Sequence, residues 1–152
     1  HCILRSMSQE PPPPVDRGGR ARIGIVPRLS RVRWLRWLLL TPVVARPGYW
    51  IATACALFWG ALLGRFHLSR QGGLIVAANL PNWGFGRGGT TVGAVYLTNT
   101  NITPGILEHE AVHRAQWKRY GLAFIPLYVS AGQNALHNRF EIEAGLKRGG
   151  YV

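Results

Sequence analysis

Acidic residues are scarce in this chain of 152 residues: six Asp and Glu stand against eighteen Lys and Arg, for a net charge of +12. Glu10 and Asp16 lie near the start, and no carboxylate follows until Glu108. Cysteine is scarcer still. Cys2 and Cys55 are isolated, without CxxC spacing, so neither a cysteine zinc site nor an iron–sulfur cluster can be assembled from them. Lysine is nearly absent, with Lys118 and Lys147 the only two. The Gly-rich stretch from Gly84 to Gly89 lacks the Lys-Ser/Thr of a phosphate loop and reads as a turn. A long apolar run is also missing. The charge-free segment from Tyr49 to Gly64 covers only about 24 Å at helical rise, short of a comfortable bilayer span. No nucleic-acid motif accompanies the basic charge, so a nucleic-acid partner is not expected.

The length suits one modest domain. The chain opens on His1 rather than Met, as expected of an internal position in a longer frame or a processed end. Residues 1–33 read as a disordered basic tail, with a polyproline stretch at Pro11–Pro14 and a flexible Arg17-Gly18-Gly19-Arg20. Residues 34–66 form an apolar helical segment or segments. Pro42 interrupts the first run, Arg46-Pro47 closes it, and a second run continues from Tyr49. Trp, Tyr and Arg65 at the ends of that run have the character of interfacial anchors, and Arg clusters beside an apolar helix suit the cytoplasmic side of a membrane. A membrane surface is therefore a candidate partner. A cleavable signal peptide fits the same residues more loosely. The localisation these features allow is membrane-associated or cytoplasmic.

Residues 67–152 have a different texture. Gly72 to Ala78 reads as a strand, Asn79 to Gly89 as a loop, and the β-branched run Thr90 to Thr98 as the best strand in the chain. Pro104 suits a helix start and Gly121 a helix stop, which predicts a helix over 104–120. Two further helices are predicted over about 123–135 and 138–148. The expected fold class is α+β.

The chemistry lies in the middle helix. His109-Glu110-Ala111-Val112-His113 places two imidazoles four residues apart, one turn apart on one face, where both can reach a single Zn2+ ion. Glu110 is rotated about 100° away and can take a proton from water without being a ligand. A third ligand is needed. Glu141 and Glu143 are two apart on a helix and point to different faces, so one of them coordinates.

Residues 109–145 resemble the gluzincin branch of the zincin-like zinc metallopeptidases, in which a Glu on a later helix completes the site. In CAAX-type and heat-shock membrane proteases that helix reads Glu-x-x-Ala-Asp. Here it reads Glu141-Ile142-Glu143-Ala144-Gly145, which aligns Glu141 with the ligand and departs at Gly145. The family's Asp supports a zinc histidine, a role for which Asn138, one turn before Glu141, is the candidate here. The resemblance implies a minimal zincin-like domain: a short sheet with an edge strand, the motif helix and a ligand helix. It also implies a peptide or protein substrate laid along Val92, Ala94 and Tyr96. The implied activity is zinc-dependent peptide hydrolysis, with metal-activated water and Glu110 as general base. Two rivals stand beside it: a zinc site that only staples helices together, and a membrane-associated adaptor in which the motif is incidental.

Other residues are weaker candidates. His137 reads as a loop or cap histidine and His67 as a surface one, while Tyr128 and Arg139 are candidate oxyanion stabilisers. Trp117 and Tyr120 are expected to pack the motif helix onto the domain.

Overall fold

A computed structural model describes residues 41–152. The basic tail expected over residues 1–33, and the Arg- and Trp-rich leader that follows it, lie outside the described residues. Helix α1 spans Pro42–Leu63 and runs through Pro47 without the break predicted there. Pro47 lies near the helix start and faces outward, so its missing N–H removes one backbone bond without burying a polar group. Ala45, Gly48, Tyr49, Ala52, Thr53, Ala56 and Gly60 are buried at helical spacing. Most of these are small, and the helix lies close to the sheet: a Cβ on Gly60 would stand 2.7 Å from that of Ala77.

The sheet has four short strands: β1 Leu68–Gln71, β2 Leu74–Ala77, β3 Thr90–Val92 and β4 Val95–Leu97. Their order is β1-β2-β4-β3, antiparallel at both outer pairs and parallel between β2 and β4. β1 is exposed throughout and polar in three of four residues, which hides it from a reading based on apolar alternation. It turns into β2 through Gly72 and Gly73, both with positive φ (57° and 78°), as a tight two-residue hairpin requires.

The single strand predicted from Thr90 to Thr98 is a hairpin, and this corrects the expected substrate edge. Gly93 (φ 62°) turns the chain against Thr53 of α1, and Thr53 Oγ1 accepts from the Ala94 N–H at 3.0 Å. The Ala94 carbonyl in turn accepts from Ile75 N. Tyr96 lies in β4, which is paired on both sides, and is fully buried. Neither Ala94 nor Tyr96 offers a free backbone edge; of the three residues, only Val92 lies on the edge strand.

Strand alternation sends Ala77, Val95 and Leu97 to α1 and Leu74, Val76 and Tyr96 to the opposite face. There they meet Ile106, Leu107 and Ala111 of α2, Pro104–Tyr120. The bounds of α2 are those predicted. The Thr103 hydroxyl accepts from Ile106 N, Pro104 opens the helix, and Gly121 (φ 55°) closes it. Helices α3, Phe124–Ser130, and α4, Arg139–Ala144, are both shorter than predicted. Glycines with positive φ at 132 and 145 turn the chain just beyond them. Tyr49, Ala52, Trp117, Phe124 and Phe140 join α1, α2, α3 and α4 in one further core. The fold is α+β, and among the described residues no helix is long and apolar enough to cross a membrane.

Candidate metal centre

Helix α2 presents His109 and His113 on one buried face, and α4 brings Glu141 against them. Asn138 caps α4: its Oδ1 accepts from Phe140 N at 3.0 Å, while its Nδ2 donates to the Tyr128 and Gly132 carbonyls. Its side chain is committed to the helix start, so Asn138 does not support a zinc histidine. Three ligand atoms converge. His109 Nε2 lies 3.1 Å from His113 Nε2 and 3.1 Å from Glu141 Oε2, and His113 Nε2 lies 3.5 Å from the same oxygen.

The outer nitrogens of both rings define which atoms face inward. His109 Nδ1 lies 3.1 Å from the Gly145 carbonyl, which can only accept. His113 Nδ1 lies 2.8 Å from Gln116 Oε1. The Gln116 amide orientation follows from its other end, where Nε2 donates to the Phe140 carbonyl and to Glu143 Oε2. Both Nδ1 atoms therefore carry hydrogen and both Nε2 lone pairs point at Glu141. Two lone pairs and a carboxylate oxygen at such distances repel unless a cation lies among them, either a metal ion or protons. A tetrahedral ion with bonds of 2.0–2.1 Å sets its ligand atoms about 3.4 Å apart, which the observed 3.1–3.5 Å approaches. The buried cluster of His109, His113 and Glu141 can hold a metal ion.

The surrounding charges support this arrangement. Burial alone would push the Glu141 carboxyl up, but with protons rather than a metal ion on the two Nε2 atoms, hydrogen bonds from His109, His113 and Tyr128 together hold it well below the usual carboxylate range. Burial would lower His113, but the carboxylates of Glu141 and Glu110 and the Gln116 hydrogen bond leave it above its ordinary value. The Tyr128 hydroxyl donates to Glu141 Oε1, and burial together with that bond pushes its phenol well up.

Glu110 is buried and is not part of the converging triad. It lines a cavity of about 530 Å3 whose wall also includes His113, Glu141, Tyr128 and Val92. Burial raises the Glu110 carboxyl above its ordinary value, only partly offset by the two imidazoles and Thr91. The carbonyl of Thr91, in edge strand β3, accepts from Trp117 Nε1 at 2.9 Å, so one polar group of that strand is already engaged by α2.

Arg139 stacks over the Phe140 ring at 4.5 Å and does not line this cavity, which removes it as an oxyanion stabiliser; Tyr128 does line it. His137 does not line it either, and His67 Nδ1 faces the Gly64 carbonyl at the end of α1. Three contributors escape a reading of the sequence. Gln116 stands three residues after His113 on the same helical face, a spacing that could have revealed it. The Gly145 carbonyl leaves no signature in a side-chain pattern. Tyr151 packs against His109 with ring centroids 5.9 Å apart and also lines the cavity. Comparison with protein-family models, curated proteins and solved structures returns no significant match.

Proposed function

We propose that this protein is a zinc-dependent hydrolase acting on peptide bonds, with His109, His113 and Glu141 as ligands and Glu110 as general base. Zinc is the favoured ion because two neutral imidazoles and one carboxylate at tetrahedral spacing form a donor set it commonly takes. One observation carries the reading: Glu110 is adjacent to a ligand in sequence, outside the ligand triad, and on the wall of a cavity that His113 and Glu141 also line. A purely structural site has no use for a carboxylate in that place.

When bound, zinc supplies Lewis acidity and makes water acidic enough to react near neutral pH. Glu110 accepts the proton of the attacking water and passes it to the leaving amine. Its burial, by lifting the carboxyl toward neutral pH, suits that exchange. Tyr128 and Tyr151 remain protonated at neutral pH, because burial raises both phenols. In this scheme Tyr151 faces the reacting carbonyl as a hydrogen-bond donor, Tyr128 spends its one hydroxyl proton on Glu141 and so fixes that ligand, and an extended substrate lies along β3 beside Val92.

The test is cleavage of a diverse library of quenched fluorescent peptides by zinc-loaded wild type and Glu110→Gln. The substitution should spare the bound zinc and lower turnover by about 100- to 10,000-fold. Equal turnover in the two proteins would overturn the assignment of Glu110. A zinc-loaded wild type that cleaves nothing would favour the structural-zinc alternative.

A further inference from the structure

Helix α1 distributes its residues the wrong way round for a helix with one face in water. It buries mainly Ala, Gly and Thr, and turns Val43, Trp50, Ile51, Phe58 and Leu62 outward. Phe58 is 71% exposed and Trp50 64%. These residues recur at helical spacing on one side. The apolar surface continues past the helix: Trp59 donates to the Gly84 carbonyl at 3.0 Å and holds the exposed Trp83 with ring centroids 6.1 Å apart. An exposed patch of this kind marks a surface that is covered in use.

We infer that the outward face of α1 lies in the surface of an anionic lipid bilayer, with the helix parallel to the membrane plane. Three observations choose this occupant. First, the helix is not long and apolar enough to cross a bilayer. Its inner stripe is packed on the sheet, so only the outer face is left to enter lipid. Second, the charge is of one sign: Arg46 is exposed near the start of α1, Arg65 and Arg70 are exposed beyond its end, and no Asp or Glu occurs from residue 17 to residue 107. Arg31, Arg33 and Arg36 precede the helix in sequence. Basic residues flanking an apolar face, with Trp among the apolar side chains, suit the headgroup region of anionic membranes. Third, a second copy of the chain fits poorly: antiparallel pairing of two α1 faces would bring Arg46 against Arg65.

The experiment is flotation of the full chain with vesicles of phosphatidylcholine alone or mixed with phosphatidylserine. The wild type should float with the mixed vesicles and less as salt rises. Cys55 is exposed on α1 between Ile51 and Phe58. An environment-sensitive fluorophore on it, in a Cys2→Ser background, should shift to the blue on binding. The double substitution Ile51→Glu/Phe58→Glu changes only exposed residues and should weaken binding on the order of tenfold or more. Absence of flotation would overturn the inference. So would unchanged flotation of the double variant, which would assign binding to basic charge alone. Self-association of the wild type that the double variant abolishes, without vesicle binding, would assign the face to a second copy instead. Because the inference concerns α1 and not the metal cluster, it stands or falls apart from hydrolase activity.

Discussion

The carbonyl oxygen of Gly145 stands 3.1 Å from Nδ1 of His109. Gly145 has φ 94°, closed to most side-chain-bearing residues, and at this position the backbone supplies the acceptor. The backbone therefore supplies this hydrogen bond without any side chain. His113 is held by Gln116, which is itself fixed by two acceptors on or beside α4. Both imidazoles are thus oriented before any ion arrives.

That orientation can be tested without touching a ligand. Gln116→Ala leaves all three ligands in place but frees the His113 ring and leaves the Phe140 carbonyl and Glu143 without this donor. Losing such a supporting hydrogen bond typically costs 10- to 100-fold in metal affinity. Competition titration with a chromophoric chelator should find that loss; an unchanged affinity would show that Gln116 does not set the ring.

The pH dependence has a definite sign. His113 lies above its ordinary value of 6.5, so a proton already competes for the site in the neutral range. Glu141 is held far below the carboxylate range and remains ionised. Metal affinity should therefore fall as pH drops through the neutral range, with proton release on binding, and His113 should govern that fall. Chelator competition at several pH values, with calorimetry in buffers of different ionisation enthalpy, measures both. A flat profile with no proton release would contradict the electrostatic account.

Legibility from the sequence varied with the kind of signal. Helix α2 could be placed because Pro104 and Gly121 bracket it with local backbone chemistry, whereas Glu141 could be singled out over Glu143 only by resemblance to a Glu-x-x-Ala-Asp pattern. The run from Thr90 to Thr98 looked like one strand because β-branched residues flank Gly93, whose turn depends on contact with Thr53, 40 residues earlier. β1 was hidden because an exposed edge strand needs no apolar alternation. The Gly145 carbonyl was invisible because backbone atoms are the same in every sequence, and only φ decides where they point.

Packing between α1 and the turn after α2 offers a stability test. A Cβ on Gly121 would stand 2.5 Å from the Ala45 carbonyl oxygen, and φ is 55° there. Gly121→Ala should therefore destabilise the fold by about 2 kcal/mol or more, from backbone strain and overlap together. Chemical denaturation should show a lower midpoint with an unchanged slope. A midpoint equal to wild type would mean that α1 and this turn are not packed as described.

The most direct test of the metal centre is the zinc content of wild type beside His113→Ala and Glu141→Ala, measured by elemental analysis after dialysis. The account predicts one zinc per chain in the wild type and loss of stoichiometric zinc in both variants. A wild type without zinc, or either variant keeping a full equivalent, would contradict it.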